Sequence, residues 1–132
     1  MICSTEAQTD IAASLGVKAT VSKPTWVDDV YACKYAYPNG TFTMSVKELT
    51  DTAATTATYT AYATKLGKRP EVVSFGEGAF ITTNGSVIVR KDFKVLNVDV
   101  TRLPQQFGQP PQDRSNIALS IAAVVMSCWT GE

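Results

Sequence analysis

Between Tyr31 and Val46 the chain reads Tyr-Ala-Cys-Lys-Tyr-Ala-Tyr-Pro-Asn-Gly-Thr-Phe-Thr-Met-Ser-Val, two strand-like runs around a Pro38-Asn39-Gly40 turn. Aromatic and β-branched residues suit a pleated, half-buried surface, and Asn-Gly offers the positive-φ positions of a tight turn, so the stretch predicts a β-hairpin. Pairing Tyr37 with Phe42 sets Tyr35 against Met44 and Cys33 against Val46. It gathers the apolar residues on one face and leaves Lys34, Ala36, Thr43, Ser45 and Lys47 on the other. Pro38 argues for a slip to Tyr37 opposite Thr41, because proline suits the second position of a type I turn in a three-residue loop. The buried face is the stronger constraint, so the first pairing is the expected one.

Other elements arrange themselves around this hairpin. Thr5 and Gln8 form a capping-box pattern, Ala7, Ile11, Ala12 and Leu15 recur at helical spacing, and Gly16 ends the run. A short strand is expected over Val17 to Val21, broken by Pro24, followed by a loop over Trp26 to Asp29. Thr52 to Leu66 contains no glycine or proline and places Tyr59, Tyr62, Ala63 and Leu66 on one helical face. Its many threonines are weak helix formers, so that helix relies on packing.

Ala79 to Thr83 and Ser86 to Arg90 flank Asn84-Gly85 as a second hairpin, and Leu96, Val98 and Val100 alternate with polar residues in a last strand. Pro104 to Gln112, rich in proline and glutamine, predicts an irregular surface connector rather than a packed element. A final helix capped by Asp113, Ser115 or Asn116 places Ile117, Ile121, Val124, Val125 and Cys128 on one face. Its apolar run is short of the roughly 20 residues a bilayer span needs, so it is a core or partner-binding helix. The expected fold is a single α+β domain over 1–132, an antiparallel sheet built from two β-hairpins with about three helices packed on one face.

Composition excludes several function classes. The chain has no histidine, which removes the commonest general base and the commonest zinc ligand. Twelve basic and twelve acidic residues cancel, so no global field draws nucleic acid or an anionic membrane. Cys3, Cys33 and Cys128 lie far apart without CxxC spacing, against a zinc or thioredoxin-like site. A structural disulfide between two of the three, in an exported protein, accounts for them best. Met1-Ile2-Cys3 is followed by polar residues rather than a signal-peptide core; on this reading any targeting segment has been removed, and membrane contact is only through such an N-terminal anchor.

Cys3-Ser4, Cys33-Lys34-Tyr35 and Gly76-Glu77-Gly78-Ala79-Phe80 together resemble a group of small actinobacterial cell-envelope proteins, often lipid-anchored. These carry an early cysteine, a Cys-x-Tyr strand and a Gly-Asp/Glu-x-Ala-Phe/Tyr bend. The resemblance implies an exported or cell-envelope α+β domain and brings no established activity. It favours a Cys3–Cys33 disulfide, while helical phase keeps Cys33–Cys128 as an alternative. Cys128, within Cys-Trp-Thr-Gly, departs from the pattern.

Candidate chemistry is sparse. Glu77, between two glycines, is the best placed carboxylate for an enzyme of unrecognised type, and a solvent-facing bend residue is its simpler reading. Asp28-Asp29 are adjacent and so point to opposite sides of an extended chain, unsuited to a shared proton. No Walker, Rossmann or Ser-x-x-Lys pattern occurs. Aromatic residues offer a binding surface instead: Trp26, Tyr35, Tyr37, Tyr59 and Tyr62, with Glu77, would line a groove between the first hairpin and the second helix. The expectation is a non-enzymatic domain without metal or cofactor that binds a small ligand or protein partner, the rivals being a sensor or structural ectodomain and a Glu77-dependent enzyme.

Overall fold

The computed structural model describes residues 2–128, without the side chain of Cys128. In chain order the elements are α1 (Thr5–Leu15), β1 (Thr20–Val21), β2 (Thr25–Val27), β3 (Val30–Tyr37), β4 (Gly40–Glu48), α2 (Thr52–Leu66), β5 (Gly78–Ile81), β6 (Val87–Lys91), β7 (Lys94–Asp99), β8 (Gln106–Phe107), β9 (Gln112–Asp113) and α3 (Arg114–Cys128). The expected α+β class, antiparallel sheet and three helices are all present. The main sheet runs β1-β3-β4-β7-β6-β5, with β2 beside β1 on the outer edge of β3, and every pairing in it is antiparallel.

The first hairpin adopts neither expected register. Tyr37 pairs with Gly40, Tyr35 with Phe42 and Cys33 with Met44, so the loop is the two residues Pro38-Asn39. Neither Asn39 nor Gly40 has positive φ. A proline ring fixes φ near −65°, so this turn belongs to Pro38 rather than to the Asn-Gly pair. Relative to the expected pairing the shift is two residues, which keeps every side chain on its face. Gly40 serves a different need: a Cβ there would stand 2.8 Å from the Arg102 carbonyl oxygen, where the 102–104 segment closes over the hairpin.

Two turns are of the mirror-image type, one in the stretch expected to be a loop and one at the Lys91-Asp92 turn that leads into the last strand. Val27 pairs with Val30 around Asp28 and Asp29, at φ 52° and 62°, and Lys91 pairs with Lys94 around Asp92 and Phe93, at φ 54° and 61°. These positive-φ pairs match the twist of the flanking strands, and aspartate tolerates the conformation. The Trp26–Asp29 stretch is therefore a strand and a turn, not a loop.

Helix placement also differs from the expectation of one covered face. Alternation along β6 and β7 sends Val87, Val89, Leu96 and Val98 into a large core with α1 and α3, and Ile88 and Val95 into a separate small core with Phe80, Tyr59, Tyr62, Ala63 and Leu66. Residues next to each other on a strand thus face different helices, which places α2 across the sheet from α1 and α3. The helical face expected for Tyr59, Tyr62, Ala63 and Leu66 is the one α2 uses.

Helix ends follow capping chemistry. Ser4, not Thr5, caps α1, its Oγ accepting from the Ala7 amide, while Gln8 Nε2 donates to the Cys3 carbonyl and Gly16 closes the helix at φ 74°. Asp51 caps α2 by accepting from the Ala54 amide. The proline-rich connector is packed rather than loose: Leu103 and Phe107 are buried, and β8 pairs with β9.

Candidate functional site

Cys3 and Cys33 form a disulfide with Cα atoms 6.2 Å apart. Cys33 is thereby engaged, which removes the Cys33–Cys128 alternative; the side chain of Cys128 lies outside the described residues. Beside the bridge, Tyr35 Oη donates to the Ile2 carbonyl at 2.6 Å, so the start of the chain is fastened to β3 twice. The other end of α1 is held by the connector, whose Gln109 amide donates to the Leu15 carbonyl at 2.8 Å. Helix α1 therefore lies over β3 with both ends fixed.

Two cavities open along this arrangement. One, of about 380 Å³, lies between α1, the link to β1, and β3, with Ile11, Ala12, Ala19, Val21, Tyr35 and Tyr37 among its walls and Thr5, Gln8, Thr9 and Lys18 completing them. A second, of about 480 Å³, is bordered by Val17, Lys18, Tyr37, Asn39, Gln106, Phe107 and Gln109. The two adjoin at Lys18 and Tyr37. Each is within the size range of small-molecule sites, which combine apolar walls with a few polar groups.

Tyr37 is the chemically unusual member. It is only 9% exposed, its ring meets Phe107 edge-on at 4.8 Å and stacks on Phe42 at 6.1 Å, and its hydroxyl has no hydrogen-bond partner among the described residues. A buried hydroxyl without a partner forgoes about 1–3 kcal/mol. Its neighbour Tyr35 is buried more deeply but satisfied by Ile2. Burial pushes the Tyr35 phenol up to about 12 and raises Tyr37 further, with repulsion from a charged Tyr35 adding to it. Both stay neutral donors at any physiological pH.

The remaining residues of the expected groove do not join this site. Tyr59 and Tyr62 lie under α2 on the opposite face; Tyr59 packs edge-on against Phe80 at 5.3 Å and carries the Arg90 guanidinium over its ring at 5.5 Å. Burial raises both phenols, and Arg90 partly offsets this at Tyr59. Trp26 is 53% exposed at the outer sheet edge, where it meets Tyr31 at 6.2 Å. Glu77 is exposed beside the β6–β7 turn, with one carboxylate oxygen accepting from the Asp92 amide at 3.3 Å. Of the residues expected to line the groove, Tyr35 and Tyr37 are the ones that border these cavities.

Lys18, Val21, Phe107 and Gln109 were not singled out in the sequence. Phe107 carried a signal, being the one aromatic residue in a proline- and glutamine-rich connector. Among the described residues no group of three or more histidine, cysteine, aspartate or glutamate side chains could hold a metal ion, and no helix is long and apolar enough to cross a membrane. Comparison with protein-family models, curated proteins and solved structures finds no match.

Proposed function

We propose that this chain is an exported or cell-envelope, non-enzymatic domain that binds a small ligand in the paired cavity over Tyr37. The observation that carries the reading is that Tyr37, whose buried hydroxyl has no hydrogen-bond partner among the described residues, borders two cavities whose walls are fixed by a disulfide and a docked connector. A ligand acceptor reaching that hydroxyl removes the cost of leaving it unpaired. The disulfide supports an oxidising compartment. Glu77, exposed and engaged with a backbone amide, gives the enzyme reading little support.

The test is Tyr37→Phe in a ligand screen read by thermal shift. With nothing bound, removing the unpaired hydroxyl leaves stability unchanged or raises it by up to about 1 kcal/mol. The same change weakens binding of any hit that seats an acceptor there. A loss of more than 1 kcal/mol in the free protein would show that the hydroxyl is already satisfied, and would remove the main support for the site.

A second reading, a sensor or structural ectodomain that docks a protein, is favoured by one feature. Trp26, Val27 and Phe93 are 53%, 63% and 49% exposed. They sit near two hairpin tips at the same end of the sheet, where Glu48 and Leu49 donate to the carbonyls of Asp29 and Phe93.

A further inference from the structure

We propose that the ligand is a small amphiphile carrying a single negative charge, its apolar body against the α1 side of β3 and its anionic group at Lys18. The inference rests on the reading of the paired cavity as a binding site and adds the chemistry of what it holds.

Charge distribution around the two cavities supports it. The chain holds equal numbers of acidic and basic residues, yet neither cavity is bordered by any aspartate or glutamate, and Lys18 is the single charged residue bordering both. Lys18 forms no hydrogen bond or ion pair with the described residues, so its ammonium is free to meet a ligand. Tyr37 borders the same junction, and its hydroxyl has no hydrogen-bond partner among the described residues. Two unengaged donors and no carboxylate favour a ligand end rich in acceptors, and a carboxylate or phosphate supplies these with charge assistance.

The walls on either side are of the opposite character. Ile11, Ala12, Ala19 and Val21 flank the junction in one cavity, and Val17 and Phe107 in the other. Apolar surface of this kind gains from covering hydrocarbon and offers nothing to a fully hydrated ion. A ligand with one acidic end and a short apolar body satisfies both parts, whereas an inorganic anion satisfies only the junction.

Calorimetric titration with decanoate, decanol and decyltrimethylammonium, below their aggregation limits, separates the components at constant chain length. Decanoate should bind wild-type protein about three- to ten-fold more tightly than decanol, as expected of one charge-assisted contact at a solvated mouth, and the cation should bind weakest. Lys18→Gln should bring decanoate to the level of decanol, and Lys18→Glu should reverse the order in favour of the cation. Ala12→Trp, which fills the larger part of the apolar wall, should weaken all three. Saturable binding of decanol equal to decanoate, lost in Ala12→Trp and indifferent to Lys18→Gln, would overturn the anionic assignment and leave the cavity as a neutral-ligand site. Saturable binding by none of the three would overturn the ligand-site reading and the proposal together.

Discussion

Tyr35 and Tyr37 on one side of the sheet and Tyr59 and Tyr62 on the other live under different mechanical conditions. On the α1 and α3 side, Tyr35 and Tyr37 lie in a strand held by a disulfide, by the Tyr35–Ile2 hydrogen bond and by the stacked ring of Phe42 at 4.7 Å from Tyr35. On the α2 side, Tyr59 and Tyr62 sit half-buried on a helix that covers the small core of Phe80, Ile88 and Val95. Cross-linked packing can keep a cavity open because its walls cannot settle inward. A helix resting on a few apolar side chains closes over whatever gap is made. The candidate site is found on the first face, where the walls are fixed.

Matched truncations test this contrast most strongly. Phe42 and Phe80 are 1% and 0% exposed, one in each core. Phenylalanine-to-alanine changes in cores cost about 3–5 kcal/mol, the spread reflecting how far the surroundings collapse. Phe42→Ala should fall near the top of that range and Phe80→Ala near the bottom, measured by urea denaturation. Equal costs would mean that the two faces are equally rigid.

Removing the bridge sharpens the same point. Cys3→Ser with Cys33→Ser opens a link across a sequence separation of 30 and should cost about 3 kcal/mol. Hydrogen exchange should rise in α1 and β1 while α2 keeps its protection. A uniform rise over both faces would place the bridge outside the contrast.

A smaller effect is read by pH and by a variant on the first face. The Tyr35 phenol is raised from 10.0 to about 12, and Tyr37 is raised as well. The unfolded chain gives up these protons first, so the stability they contribute is complete below pH 10 and declines as pH climbs through 10 toward about 12. Denaturant midpoints between pH 8 and pH 11.5 should show the decline, with a shallower slope in Tyr37→Phe. Smallest of all is Glu77→Ala, which removes one exposed contact to the Asp92 amide and should change stability by less than about 0.5 kcal/mol.

Local chemistry made much of the fold legible. The α2 boundaries, the face of α2 that packs, and the shared face of Tyr31, Cys33, Tyr35 and Tyr37 with Phe42, Met44 and Val46 all follow from helical spacing or strand alternation. Alternation fixes only parity, however, and a shift of two residues leaves it unchanged; the hairpin register was decided by Pro38 at the turn. The mirror-image turns at Asp28-Asp29 and Asp92-Phe93 carry no glycine to announce their type. The groove joining Tyr35 and Tyr37 to Tyr59 and Tyr62 went unrealised because no local pattern says which side of a sheet a crossover helix will take. Likewise, Gln109 comes to border the same cavity as Tyr37 through the docking of the connector on the end of α1.

The most direct test of the central claim, that ligand binding belongs to the cross-linked face, is an amide chemical-shift titration of the 15N-labelled chain with decanoate. Saturable shifts are expected in residues 8–12, 17–21, 35–39 and 106–109, with 55–66 and 77–80 unmoved. Shifts centred on α2 and the Glu77 bend would contradict it.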